Sequence, residues 1–328
     1  MKTRISVVIP TYQRPESLRR SLLSVLAQTH PAFEVIVVEN GASNVAKGVL
    51  GELQAKHPRL RYLYRAKAGV SGARNAGIAA AEAPLIALLD DDDEWLPTKL
   101  ERQIELMERN PEVALVTCDG WVVYSDGFRE VVEPAPSYKG ELSFKSLVSE
   151  GNCIWAGASN LLVKKECFDR VGSFNSRFDS AEDYDWYLRV SRFYRIGKVE
   201  EPLFRYHVHS NNVSKNEAGM LGATIAVLKT LRPSRQHGVT QRNIQEILTR
   251  YAQRLYGVAA EAIDQKCFRQ AGQAYLGAVW GDPLIGLKIP WNRFSNLAYR
   301  TARPYFAAGY CLWRSLTESG RQGSMRHV

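Results

Sequence analysis

Four consecutive carboxylates, Asp90-Asp91-Asp92-Asp93, follow directly on the apolar run Leu85-Ile86-Ala87-Leu88-Leu89. Opened by Pro84, that run reads as a buried strand. Four carboxylates at its end cannot all stay ionised side by side in a dry site. They must be solvated, share protons or be neutralised by a cation. A hard divalent ion, Mg²⁺ or Mn²⁺, carrying a bound phosphate meets that need with oxygen ligands. A solvated acidic turn capping the next helix would account for the same residues, but open α/β sheets bind ligands at the carboxyl ends of their strands. Arg74 sits among Gly69, Gly72 and Gly77 near a helix start, a setting that favours the approach of phosphate. Glu182-Asp183 open a helix running on through Tyr184, Trp186, Tyr187, Leu188 and Val190, where the helix dipole alone would favour acidic residues. His207 and His209 alternate in a strand-like stretch and so share a face.

The elements that must position these groups alternate over the first hundred residues. Strands are predicted at Ile5 to Pro10, Phe33 to Val38, Leu60 to Tyr64 and Leu85 to Leu89. Helices are predicted from Pro15, over Val45 to Lys56, over Ser71 to Ala81 and from about Leu96. This order implies a mainly parallel sheet with right-handed crossovers. Val113 to Val132 reads as β-rich with turns at Asp119-Gly120 and Ser125-Asp126-Gly127, and residues 133–152 as a loop over the site. A strand at Asn160 to Val163 and a helix at about Asp183 to Phe193 follow.

A chain of 328 residues holds one large domain or two smaller ones. Five cysteines are scattered without zinc or CxxC spacing, which points to reduced thiols in a cytoplasmic setting. No run approaches the ~20 apolar residues that span a bilayer. The formal net charge of +9 is unevenly placed, because residues 215–328 carry 16 Lys/Arg against 6 Asp/Glu. The expected division is therefore a near-neutral catalytic domain, residues 1–214, and a basic helical region, residues 215–328.

Four segments in order carry a resemblance. Ser6-Val7-Val8-Ile9-Pro10-Thr11-Tyr12-Gln13-Arg14-Pro15 resembles the opening strand of family 2 glycosyltransferases, which have the GT-A fold. Ala68-Gly69-Val70-Ser71-Gly72-Ala73-Arg74-Asn75-Ala76-Gly77 is similar to their Gly-x-x-x-Ala-Arg-Asn segment, and Leu89 to Pro97 resembles their Asp-x-Asp metal motif with its trailing Trp and Pro. Glu182-Asp183 resembles the Glu-Asp pair carrying their catalytic base. The resemblance covers roughly Ile5 to Ser214 and implies an α/β, GT-A type sheet flanked by helices, with a helical carboxyl-terminal extension.

It implies roles as well. Asp92 is the expected metal ligand, with Asp90 nearer the ribose or the metal's waters, Asp91 chiefly a spacer on that donor side, and Asp93 without an assigned role. Arg74 goes to the donor diphosphate, and Thr11, Tyr12 and Arg14 to the nucleotide base and ribose. Glu39 stands where the family usually has Asp; it keeps a carboxylate but is one methylene longer, which leaves the nucleotide open. Asp183 is the expected general base and Glu182 its neighbour that positions or tunes it. His209 matches a family histidine near the metal or diphosphate, although a structural histidine fits as well. Residues 133–159, with Trp155, are where the acceptor site is expected.

The implied activity is metal-dependent, inverting transfer of a hexosyl or N-acetylhexosaminyl group. The donor would be a nucleotide-sugar, UDP-linked, and the acceptor a hydroxyl of a saccharide or lipid-linked saccharide in cell-surface glycan synthesis. A nucleotidyltransferase on a related fold would need a basic glycine-rich loop after the first strand, which Thr11-Tyr12-Gln13-Arg14-Pro15 does not supply. A non-catalytic saccharide-binding protein on a decayed fold has no need of Asp90, Asp92, Glu182 and Asp183 together. Beyond residue 215, Trp280 and Trp291 precede a stretch in which Arg293, Arg300, Arg303 and Arg314 interleave with Phe294, Tyr305, Phe306 and Trp313. That pattern suits an anionic membrane surface on the inner leaflet, or equally a helical lid or a homodimer surface, and lacks any nucleic-acid reader motif.

Overall fold

The computed structural model describes residues 4–283, apart from 31–32, 42–44, 126–129, 135, 179, 210–211, 213–214 and 265–267. The chain divides into two compact units, Met1–Ser210 and Asn211–Val328. The arginine- and tryptophan-bearing stretch from residue 284 onward lies outside the described residues.

In the first unit, β1 (Ile5–Thr11) is buried along its whole length, as a central strand covered on both faces must be. It pairs in parallel with β2 (Phe33–Glu39) on one side and, across the crossovers, with β4 (Leu85–Leu88) on the other. β2 pairs in parallel with β3 (Leu60–Tyr64). Between these strands run α1 (Pro15–Leu26), α2 (Val45–Gln54) and α3 (Gly69–Ala80). Leu18, Leu22 and Val25 of α1 bury against Val7, Ile9 and the other core residues of the sheet. The chain then makes the two-residue strand β5 (Glu94–Trp95), helix α4 (Lys99–Arg109), strands β6 (Val113–Ser125) and β7 (Glu130–Pro134), and helix α5 (Phe144–Glu150). β8 (Leu162–Lys164), α6 (Glu166–Val171), α7 (Glu182–Val190) and β9 (Arg195–Val208) complete the unit. The sheet order is β3-β2-β1-β4-β8-β6-β9-β5, with β7 paired on β6. β8 runs antiparallel between β4 and β6, and β6 and β9 are parallel. This is the α/β sheet flanked by helices that the alternating pattern predicts.

Two local expectations differ. Asp119-Gly120 is no turn: β6 runs straight through it with register shifts on both sides of Asp119. Gly120 is there because Phe204 of the neighbouring strand occupies the space a Cβ would take, with ring atom Cδ1 only 2.7 Å from it. The supposed loop at 133–152 contains α5, opened by a capping box in which the Ser143 hydroxyl accepts the Ser146 N–H.

The second unit packs α8 (Glu217–Thr230), α9 (Gln241–Asp264) and α10 (Phe268–Gly281) around Ile225, Leu228, Leu255 and Tyr275. Tyr256 and Tyr275 meet edge-on at 4.9 Å between α9 and α10. Among the described residues no helix is long and apolar enough to cross a membrane.

Gly77 sets how closely α3 lies on the sheet. A Cβ there would fall inside Val8 Cγ1 and 3.1 Å from Val38 Cγ2. Gly77→Ala is expected to force the helix off β1 and β2 at a cost of about 1–3 kcal/mol, measured as a lower denaturation midpoint with an unchanged slope; an unaltered midpoint contradicts this packing.

Candidate active site

The end of β4 and the acidic run make one tight turn, closed by the Asp93 N–H donating to the Asp90 carbonyl at 3.3 Å. Its four carboxylates are separated by their partners. Asp91, 5% exposed, accepts from the Thr11 hydroxyl at 2.7 Å, from the Tyr12 N–H at 3.3 Å and from Arg14 Nη1 at 3.1 Å. It therefore clamps the chain leaving β1 onto the turn, and burial with Asp92 nearby pushes its pKa up to about 6 against the opposing Thr11 and Arg14. Asp93, 1% exposed, accepts the His207 N–H at 3.2 Å; burial first, then Asp92 and Asp90, raise its pKa well above the ordinary aspartate value. Asp90 and Asp92 keep more exposure. Asp92 holds Arg14 Nη1 and lies 2.9 Å from His209 Nε2, while His207 Nε2 lies 2.7 Å from Glu94. The two histidines of β9 and its end thus reach neighbouring carboxylates, because β5 pairs Glu94 with Arg205 and Trp95 with Phe204. Lys99 Nζ, buried 3.8 Å above the Trp95 ring, backs the turn from inside.

Arg74 of α3 joins this turn to α7. Its Nη2 donates to Asp90 at 2.6 Å and its Nη1 to Glu182 at 2.6 Å. The guanidinium is buried, which disfavours its charge, yet Asp90 and Glu182 outweigh that and hold its pKa above the ordinary arginine value. Its buried Nε has no hydrogen-bond partner among the described residues. Asp183 stands at the start of the same helix. One carboxylate oxygen accepts the Tyr184 N–H at 2.6 Å, and the other faces Gly157. Burial first, then the charges of Glu182 and Asp90, push the Asp183 pKa up to about 7 against the Tyr184 N–H and Arg74. α7 itself is rigidly seated: Trp186 stacks on Phe168 at 4.5 Å and donates to the Gly172 carbonyl at 3.0 Å, and Arg189 binds Asp185 and the Val171 carbonyl.

The structure therefore brings together Thr11, Arg14, Arg74, Asp90, Asp91, Asp92, Glu182 and His209 through direct contacts, with Asp183 adjoining Glu182 in the chain. Tyr12 presents a ring 55% exposed, against Gly41, where a Cβ would come within 2.8 Å of it. Glu39 stands apart. It is 1% exposed, its Oε1 accepts the Val45 and Ala46 N–H groups at the start of α2, and its Oε2 accepts the Tyr62 hydroxyl at 2.7 Å. Both oxygens thus accept hydrogen bonds from within the protein, in addition to the role expected for this carboxylate toward a nucleotide. Arg74 pairs both terminal nitrogens with protein carboxylates, and its Nε is left without a partner.

Sequence reasoning missed Gly157 and Ser159. Ser159 Oγ accepts the Asp90 N–H at 3.1 Å and its carbonyl accepts Trp95 Nε1 at 2.7 Å, so it steadies the acidic turn from beneath. Nothing in Gly157-Ala158-Ser159-Asn160 signals this except a glycine outside any periodic pattern.

Among the described residues no group of three or more His, Cys, Asp or Glu side chains is arranged to hold a metal ion. The donor set at Asp92 and His209 is nonetheless of the right chemistry: Mg²⁺ and Mn²⁺ are commonly held by one or two protein ligands, with phosphates and water completing the shell.

Residues 6–160 match the family model described as glycosyl transferase family 2. An uncharacterized glycosyltransferase of Nostoc sp. is 28% identical over 325 residues, covering 95% of this chain and 97% of its own length. One from Methanocaldococcus jannaschii is 28% identical over 213 residues, covering 63% of this chain and 71% of its own. Among solved structures, S. aureus TarS 1–349 in complex with UDP-GlcNAc superposes with a TM-score of 0.65 at 16% identity, over 98% of this chain and 92% of that one. A Pyrobaculum calidifontis mannosyltransferase in complex with GDP-Man and Mn²⁺ gives 0.58 at 14% identity, over 96% and 88%. Over residues 6–160 the chain is thus similar to family 2 glycosyltransferases, and its fold is shared with solved transferases of GT-A-like architecture.

Proposed function

We propose that this protein is a metal-dependent, inverting glycosyltransferase. It moves a hexosyl or N-acetylhexosaminyl group from a UDP-linked donor to a hydroxyl of a saccharide or lipid-linked acceptor in cell-surface glycan synthesis. The observation that carries this reading is Arg74, which ties Asp90 to Glu182 and so sets the acidic turn beside Asp183. The nucleotide-sugars of TarS and of the mannosyltransferase, and the Mn²⁺ of the latter, support the donor class and the cation.

Asp183 takes the proton of the acceptor hydroxyl as that oxygen attacks the anomeric carbon. A base with a pKa near 7 is well matched to this task at neutral pH. Oδ1 is already engaged by the Tyr184 N–H, so Oδ2 is the oxygen free to receive the proton. A single displacement of this kind inverts the anomeric centre and needs no covalent intermediate. Glu182, held by Arg74, keeps negative potential beside the base. Asp92 and His209 would hold the divalent ion, which when bound supplies Lewis-acid neutralisation of the departing diphosphate. Tyr12 offers its exposed ring to the base, and Arg14, anchored by Asp91 and Asp92, orients the loop that carries it.

The second unit supports peripheral membrane attachment from the cytoplasmic side. Its α10 exposes Leu276 and Trp280, with Lys229 Nζ 4.3 Å over the Trp280 ring, a basic and aromatic pairing suited to an anionic interface.

Asp183→Asn is expected to lower kcat by on the order of 10²–10⁴ while UDP binding persists. In the unaltered enzyme kcat/KM should rise with pH through about 7, as Asp183 loses its proton, and then level off. Glu182→Gln should move that limb to lower pH by removing a charge that raises the Asp183 pKa; a limb that stays in place in both variants rules out Asp183 as the base. Asp92→Asn is expected to cost on the order of 100-fold in transfer and to abolish the Mn²⁺-dependent rise in melting temperature seen with UDP. The same rise in the variant would remove Asp92 from the metal. In flotation assays the protein should follow phosphatidylglycerol vesicles but not phosphatidylcholine vesicles, and should be released at ~1 M salt, where the screening length is ~3 Å. Equal recovery on both lipids contradicts an electrostatic surface.

A further inference from the structure

The turn between α5 and β8 places two successive residues in the left-handed region, Ala156 at φ 57° and Gly157 at φ 54°. Ala156 carries the strain that a side chain meets in this region, and an alanine at 157 would carry the same backbone cost. What singles out Gly157 is its neighbour: a Cβ at this position would lie 2.8 Å from Asp183 Oδ2. The carboxylate is held on its other side, where Oδ1 accepts the Tyr184 N–H, so any shift of Oδ2 disturbs that geometry. The turn cannot easily yield either. Asn160 donates its side-chain amide to the Trp155 carbonyl at 2.7 Å, the Asn160 carbonyl accepts Gln103 Nε2 at 2.7 Å, and Ser159 is fastened to Asp90 and Trp95. Ala158, Ser159 and Asn160 are all buried. One short segment therefore touches both halves of the site, the acidic turn through Ser159 and the base through Gly157.

We propose that Gly157 is a positioning residue for Asp183. The missing side chain leaves Oδ2 its clearance, and the anchored turn fixes that clearance relative to the acidic turn. This rests on the reading of Asp183 as the proton acceptor. A methyl group at 157 adds a backbone cost and moves the softer partner, the carboxylate, rather than the anchored turn, so beyond that cost its effect falls on the chemical step and not on donor binding. Displacing a reacting group by about 1 Å costs on the order of 100-fold in rate.

Gly157→Ala is therefore expected to lower kcat about 100-fold, with KM for the donor and calorimetric UDP affinity changed less than about twofold and the melting transition lowered about as much as in Gly238→Ala. Gly238→Ala, at φ 63° with open space where its Cβ goes, supplies the control for backbone cost alone and should leave transfer unchanged. If Gly157→Ala keeps most of kcat while Asp183→Asn is inactive, the positioning role is overturned and the base assignment stands. If Asp183→Asn itself retains transfer, it is the underlying reading that falls. Should Gly157→Ala fail to fold, Gly157→Ala combined with Asp183→Ala should restore the melting transition, since the oxygen that meets the methyl is gone; failure of that double variant to recover overturns the proposal.

Discussion

A buried guanidinium holds this site together. Arg74 meets Asp90, 16 residues on, and Glu182, 108 residues on, with one nitrogen each. Taking an arginine out of water is tolerable only when its charge is matched, and removing one partner of such a pair leaves a buried charge uncompensated. α3 must therefore lie where both carboxylates can reach it, and Gly77 on the same helix permits that approach to β1 and β2. A single cation cannot neutralise three carboxylates. The third, Asp183, has no direct ion pair with it, and burial beside Glu182 raises its proton affinity. The tie that assembles the site thus also tunes one of its members.

The acidic run resolves the same conflict in another way. Four adjacent carboxylates would repel one another strongly in a low-dielectric setting. The fold turns two of them inward, Asp91 onto Thr11, Tyr12 and Arg14, and Asp93 onto the backbone of His207. Asp90 and Asp92 remain the more exposed pair, on the Arg74 and Arg14–His209 sides respectively. The tight turn gives this division: the inward pair stitches β1 and β9 to the end of β4, and the other two keep more exposure.

Much of the framework was legible because its signals are local. Apolar runs such as Ile5 to Pro10 and Leu85 to Leu89 are long enough to specify buried strands, and Pro15 and the spacing of Leu18, Leu22 and Val25 specify α1. α5 was hidden within a stretch rich in proline and polar residues, and its capping box is visible only once Ser143 is known to be a cap. The break expected at Asp119-Gly120 was a glycine serving a neighbour, since Phe204 of β9 needs that volume. A contact across the sheet leaves no trace in the local pattern. Glu39 shows the same limit: a carboxylate after a strand has the same local context whether or not it caps the helix that follows, as it does here.

By itself the sequence determined which chemistry was on hand and in what order: an apolar strand ending in carboxylates, an arginine among glycines, an acidic pair opening a helix and two alternating histidines. Those are properties of residue type and short spacing, which hydrophobic periodicity and helix-end electrostatics express directly. Only the tertiary structure decided how the carboxylates divide between internal clamps and open positions. It also decided that Arg74 binds two of them at once, and that a glycine at 157 borders Asp183. These outcomes depend on which groups, far apart in the chain, share one buried volume, and on how a limited supply of positive charge is distributed within it.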